Sequence, residues 1–203
     1  MKDMRNYVLA TANPGKIKEM QKILSDLSIN ILTREDLAIT FDIEETGTTF
    51  LENATIKAKA ICAASGLPSI ADDSGLVIDA LGGRPGLFSS SYGDEKFTSS
   101  ERNLFLLSEM KNMEQRSAKF VCTIVCAFPE GEIISATGEC FGTILKEPIG
   151  TGGFGYDPVF LPSGFDKSMA ELSADEKNKI SHRASALFKF VKILKDYNSE
   201  KSL

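Results

Sequence analysis

The chain has 203 residues, of which 42% are hydrophobic, and a formal net charge of −5. That length supports one substantial domain, residues 1–203, burying roughly 70% of the surface exposed by the unfolded chain without staples. The acidic balance excludes a broad nucleic-acid-binding face, which needs clustered cations against phosphate.

The polar start leads into only four residues of strand character, Tyr7-Val8-Leu9-Ala10, too few for a signal segment or a membrane span. Cys62, Cys122, Cys126 and Cys140 form no CxxC pair, so neither zinc nor redox chemistry is expected. A reduced, cytoplasmic protein that meets no membrane is the reading that follows.

After the first strand, Ile17, Met20, Ile23, Leu24 and Leu27 recur at helical spacing from Gly15 onward. The intervening Thr11-Ala12-Asn13-Pro14-Gly15-Lys16 reads as a βα connection. Its helix N-terminus offers N–H groups to an anion, with Lys16 and Lys18 nearby, although GxxxxGK[ST] is absent. From this loop alone an ordinary connector is the better reading. An acidic stretch ending at Glu44 and Glu45 precedes Gly47. The pattern Thr49-Phe50-Leu51-Glu52 then predicts a capping box opening an Ala-rich helix that runs to about Ser65. The two glutamates are either surface charge or metal ligands.

Ser69-Ile70-Ala71-Asp72-Asp73-Ser74-Gly75-Leu76 is the most informative segment. It predicts a short apolar strand breaking into a glycine turn, with two adjacent carboxylates and a hydroxyl at the break. Consecutive strand residues point to opposite faces, so one acid is free for chemistry while its neighbour braces structure. A second capping box, Thr98 to Glu101, opens a helix whose Leu104, Phe105, Leu107 and Ser108 mark its apolar side. Residues 120–128 and 133–141 predict a long hairpin in the middle of a sheet.

Gly150-Thr151-Gly152-Gly153-Phe154-Gly155-Tyr156-Asp157-Pro158 combines four glycines with two aromatics and an acid. It suits close backbone approach to a ligand, with Phe154 or Tyr156 stacking on a planar base and Asp157 fixing the loop. Ser173 to Glu176 caps a short helix carrying Lys177 and Lys179. Ser181-His182-Arg183 opens the last helix, whose core face is Ala184, Leu187, Phe188, Val191 and Leu194. His182, the sole histidine, reads first as a structural hydrogen-bonding group. The interleaving of elements predicts an α/β class with two lobes around an active-site cleft.

The strings TANPGK, EETGTTFLENA, ADDSGLVIDALGGRPG, GTGGFGYDPVF and SHRASAL occur in this order over residues 7–194. In them the chain resembles the inosine/xanthosine triphosphate pyrophosphatases. Ala12 stands where that family often has glycine, and Ala184 follows His-Arg where glycine is frequent. The resemblance implies an elongated α/β fold with a central mixed sheet flanked by helices, a homodimer, and Mg²⁺-dependent hydrolysis of ITP, dITP or XTP to monophosphate and pyrophosphate. It further implies Asp73 as catalytic acceptor and metal ligand, and Glu45 as the second metal carboxylate with Glu44 its alternate. The substrate-contacting set it implies is Thr11, Ala12, Asn13, Pro14, Gly15, Lys16, Ser74, Phe154, Gly155, Tyr156, Asp157, Lys177, His182 and Arg183.

Hydrolysis at the α-phosphorus needs charge neutralisation and an in-line water, which suits one ion on two carboxylates. Lys177, His182 and Arg183 are expected to read the base edge. Lysine and arginine only donate hydrogen bonds, which favours a purine C6 carbonyl over an amino group. A phosphomonoesterase using Asp72 or Asp73 as nucleophile lacks its DxDx[TV] motif here, and a non-catalytic nucleotide sensor is the remaining alternative.

Overall fold

The computed structural model describes residues 5–25, 27 and 29–201; the first four residues of the polar start lie outside them. In chain order the elements are β1 (Arg5–Leu9), α1 (Pro14–Leu24), β2 (Ile29–Thr33), α2 (Phe50–Ser65), β3 (Ser69–Ile78), α3 (Ser99–Glu109), β4 (Ser117–Ala127), β5 (Ile133–Ile144), β6 (Phe160–Pro162), α4 (Ala174–Ile180) and α5 (His182–Glu200). The described strands form one sheet in the order β2-β1-β3-β4-β5-β6. In it β1 runs parallel to β2 and β3, and β5 antiparallel to β6. This is the mixed α/β sheet expected from the sequence.

The chain divides into two compact units, residues 1–73, 122–138 and 183–203 in the first and residues 74–121 and 139–182 in the second. Strands β3, β4 and β5 each contribute a part to both.

In the first unit, strand alternation builds two apolar layers on the two faces of the sheet. Tyr7, Leu9, Ile70, Cys122 and Ile124 pack with Met20 and Leu24 of α1 and with Leu187 and Phe190 of α5. Val8, Ala10, Ala71, Val125 and Ala127 pack with Ala54, Ala58 and Ile61 of α2. Every second residue of a strand faces the same way, so Asp72 joins Ile70 on the α1/α5 face and Asp73 joins Ala71 on the α2 face. In the second unit, Leu76, Ile78, Leu106, Phe120, Tyr156 and Phe160 form one core.

Four local expectations are corrected. Phe188, expected on the core face of the last helix, is exposed. Strand β3 does not break at Gly75 but continues to Ile78, and Gly75 serves contact: a Cβ there would lie 2.2 Å from the carbonyl oxygen of Gly86. The edge strand β2 is absent from the sequence reading, because Asn30 and its half-exposed neighbours dilute the signal of Ile29 and Ile31. Helix α3 buries Arg102, Asn103 and Leu106 and exposes Leu104, because the contiguous apolar run 104–107 does not reveal which side turns inward.

The helix starts are written in local chemistry. Thr98 with Glu101 and Ser173 with Glu176 form complete capping boxes. At α2, Thr49 caps the N–H of Glu52, but the Glu52 carboxylate returns to Thr48, whose N–H it accepts at 2.6 Å. No helix among the described residues is long and apolar enough to cross a membrane. All four cysteines are buried, unpaired and held in α2, β4 and β5.

Candidate active site

The two acids of β3 receive different partners because they face different layers. The side chain of Asp72 is fully buried, and its Oδ2 accepts from Lys16 Nζ at 3.0 Å and from Arg183 Nε and Nη2 at 3.3 and 3.2 Å. Arg183, itself 1% exposed, also donates through Nη1 to Glu19 Oε2 at 2.5 Å. Lys16 and Glu19 lie one turn apart on α1, so a single helix face supplies one partner to each end of this network. Burial alone would raise the Asp72 carboxyl, but Lys16, Arg183 and Lys57 outweigh it and hold the group well below the usual carboxylate range.

Asp73 lies in a different field. Its Oδ1 accepts from Lys57 Nζ at 3.0 Å, and the same ammonium reaches Glu45 Oε2 at 2.9 Å. Asp73 Oδ2 is buried and takes no hydrogen bond among the described residues. Burial is the larger influence here and pushes the Asp73 carboxyl upward; Lys57 opposes it. For Lys57, burial would lower the pKa, but Asp73, Asp72 and Glu45 raise it instead, so the ammonium stays charged.

Glu45 is placed by the turn before α2. Gly47 N–H donates to Asn53 Oδ1 at 2.8 Å, and a Cβ on Gly47 would sit 2.6 Å from that oxygen. Asn53 and Lys57 are one turn apart on α2, so one helix face both anchors the turn and supplies the cation. Glu44 is exposed, and Glu45 is the member of the pair that meets Lys57.

Sequence reasoning missed Lys57 and Asn53. The signal was present: Asn53, Ala54, Ala58, Ile61 and Cys62 form the buried stripe of α2, and Lys57 lies half-buried at its edge while Lys59 is exposed.

The first loop is more self-contained than its sequence suggests. Asn13 caps α1, its Oδ1 accepting from Gly15 N–H at 2.9 Å and Lys16 N–H at 3.2 Å, and Thr11 Oγ1 accepts from Asn13 N–H at 3.2 Å. Two of the amides expected to meet an anion therefore already have a partner within the loop. Ala12, Asn13 and Pro14 are exposed.

In the second unit, the glycine loop is organised by Asp157. The Asp157 Oδ2 accepts from Lys177 Nζ at 2.6 Å and from Phe154 N–H at 2.8 Å. Gly153 has φ +70, and a Cβ there would fall 1.9 Å from the same oxygen, so only glycine lets the carboxylate in. Lys177 Nζ also stands 4.6 Å from the centroid of the Phe154 ring. Asn103 of α3 supports the loop by donating Nδ2 to Gly155 O at 3.0 Å.

The two loop aromatics separate clearly. Tyr156 is buried in the core and its hydroxyl donates to Ser89 O at 2.9 Å, whereas Phe154 is partly exposed. His182 is buried and stacks on Phe120 at 4.7 Å with an interplanar angle of 14°. Ser74, next to Asp73 in sequence, is partly exposed.

Thus Asp73, Glu45, Asp72, Lys16 and Arg183 gather in the first unit, and Phe154, Asp157, Lys177 and His182 belong to the second.

Comparisons with known proteins agree with this architecture. A family model described as the Ham1 family matches residues 7–193. Over 193 residues the chain is 47% identical to the dITP/XTP pyrophosphatase of Bacillus subtilis strain 168, covering 94% of this chain and 98% of the relative. It is 46% identical over 191 residues to a dITP/XTP pyrophosphatase of Thermus thermophilus, covering 93% and 91%. Among solved structures, a HAM1 protein of Coxiella burnetii superposes with TM-score 0.88 at 41% identity, covering 95% of this chain and 100% of that one. The Ham1 protein of Staphylococcus aureus gives 0.86 at 38% identity with the same coverage. Matching in sequence and in fold over nearly its whole length, the chain belongs to the Ham1 family.

Proposed function

We propose that this protein hydrolyses non-standard purine nucleoside triphosphates, dITP, ITP and XTP, to the monophosphate and pyrophosphate. The observation that carries the reading is the division of labour in β3: Asp72 is locked in a buried ion-pair network with Lys16 and Arg183, while Asp73 shares the Lys57 ammonium with Glu45, which sets two carboxylates about one cation. The relatives' activity, dITP/XTP pyrophosphatase, supports it.

The donors suit Mg²⁺. Glu45 and Asp73 are hard oxygen ligands already gathered about one cation, and Asp73 Oδ2 is a buried acceptor with no hydrogen-bond partner among the described residues. When bound, the ion supplies charge neutralisation on the triphosphate oxygens. Asp73 mainly orients the attacking water, since a carboxylate that also holds the ion is a weakened proton acceptor. Lys16 and the Thr11–Gly15 segment bind the phosphate chain. Asp72 and Arg183 hold that arrangement in place.

Base recognition is assigned to Phe154 on the face of the purine and to Lys177 and His182 on its edge. Both expectations about the rest of this set are revised. Tyr156 is committed to the core and to Ser89, and the Arg183 guanidinium to Asp72 and Glu19, so neither is assigned to the base. A donor-only lysine favours the C6 carbonyl of hypoxanthine and xanthine and leaves adenine's amino group unpaired. The cytoplasmic setting and the homodimer expected from the resemblance belong to the same proposal; light scattering in solution tests the dimer.

The deciding experiment incubates the protein with Mg²⁺ and dITP, XTP, dATP or dGTP and identifies products by chromatography with separate pyrophosphate and orthophosphate assays. Monophosphate plus pyrophosphate, with dITP and XTP preferred and chelator abolishing turnover, is the expected result. Orthophosphate release would point to a phosphomonoesterase, and binding without turnover to a sensor.

A further inference from the structure

We propose that Lys57 is a resident counter-ion for the Glu45–Asp73 pair, and that a divalent cation binds these carboxylates by displacing it. The consequence is that the protein alone holds Mg²⁺ weakly and takes up the ion together with its triphosphate. This inference rests on the reading that Glu45 and Asp73 hold the ion.

Three observations lead to it. First, the Lys57 ammonium lies at hydrogen-bond distance from both carboxylates at once, 2.9 Å from Glu45 and 3.0 Å from Asp73, so it stands where a shared cation would stand. Second, the other cations around β3 are committed elsewhere: Lys16 lies on Asp72, and Arg183 is divided between Asp72 and Glu19. Among the described residues Lys57 is therefore the cation in contact with the Glu45–Asp73 pair, while Lys16 acts on Asp73 from farther off. Third, the Lys57 side chain is 13% exposed and arises from a regular helix, so its head can leave by rotation of its own stem without moving α2.

Electrostatics makes the two cations exclusive. An ammonium and a dication held by the same two oxygens repel each other at close range, where solvent screening is weak. A lysine suits such exchange, since it is a compact point charge on a flexible four-carbon stem; an arginine would lock both carboxylates through its rigid fork. The triphosphate brings negative charge that receives the displaced ammonium and oxygens that complete the ion's shell. Uptake of metal and nucleotide is thereby coupled.

The test uses nucleotide-free protein. In the wild type, lysine acylation is followed residue by residue by mass spectrometry while Mg²⁺ is added to saturation. Lys57 is expected to react several-fold faster with the ion bound, with exposed Lys59 as the unchanged internal reference. A Lys57 rate that stays constant or falls overturns the proposal.

Calorimetric titration gives the second arm. Lys57→Met is expected to bind Mg²⁺ about ten-fold tighter than wild type, and Lys16→Met, which removes a charge beside Asp72 but not from the gap, much less so. Equal tightening in both variants would mean a general field effect and would overturn the displacement, as would unchanged or weaker binding in Lys57→Met. If that variant fails to fold, the wild-type acylation decides alone. Neither arm contains nucleotide, so a failed product assay and a failed displacement are told apart.

Discussion

Asp72 and Arg183, 111 residues apart in the chain, form a buried pair in which both Nε and Nη2 of the arginine reach Oδ2 of the aspartate at 3.3 and 3.2 Å. The pair ties β3 to the first turn of α5 in the first unit, and Lys16 on the same oxygen ties α1 to both. Removing Asp72 takes from Lys16 its carboxylate and leaves the buried Arg183 with Glu19 alone of the two acids.

Asp72→Ala is therefore expected to cost about 3–5 kcal/mol, because breaking a buried pair strands its partner. For a chain of this size that lowers Tm by roughly 6–20 °C. The Asp72 carboxyl is held below its ordinary value, so its stabilisation is fully present above the unfolded pKa of about 4 and is lost as pH falls towards the folded value. Denaturant unfolding between pH 2 and 6 should show this acid slope in the wild type and a flatter one in Asp72→Asn. Identical slopes would remove Asp72 from the acid limb.

Asp73→Asn should separate catalysis from stability in the opposite sense. Turnover is expected to drop at least about a hundred-fold, far more than triphosphate affinity falls. Here the folded carboxyl is raised, so what this group gives the fold is present below the unfolded pKa and lost as pH rises through the folded one. At neutral pH the ionised acid is a burden on the metal-free fold. The variant's metal-free Tm should equal or exceed that of wild type; a drop of several degrees would contradict it.

The two aromatics of the glycine loop should respond differently. Phe154→Leu is expected to raise KM for dITP about ten-fold through loss of the stacking face and of the Lys177 contact. Tyr156→Phe removes only the hydrogen bond to Ser89 O and should lower stability by about 1 kcal/mol without moving KM. A reversed pattern in steady-state kinetics would exchange their roles.

Gly153→Ala tests the Asp157 anchor. The substituted residue would have to keep φ +70 and would drive its methyl into Asp157 Oδ2, displacing it from Lys177 and from the Phe154 amide. Beyond a destabilisation of about 1 kcal/mol from the backbone alone, the dITP-over-dATP preference in kcat/KM should shrink. A variant that destabilises while keeping full preference would detach Asp157 from base reading.

Much of this was legible in the linear sequence wherever the governing interactions are short. The strand period of two puts Asp72 and Asp73 on opposite faces however the rest folds, and hydroxyl-to-carboxylate spacing placed the starts of α3 and α4. The hairpin of β4 and β5 and the α/β class follow from periodicity in the same way. Tertiary structure alone decided which cation meets which acid. Lys57 and Lys59 look alike in an alanine-rich helix, and only the rotation of α2 against the sheet half-buries one and exposes the other. Arg183 sits beside His182 in sequence, yet it turns to Asp72, and Gly75, which reads as a turn, makes room for the carbonyl of Gly86. Such pairings join residues from 11 to 111 positions apart, and their energies depend on distance and burial that exist only once the layers have packed.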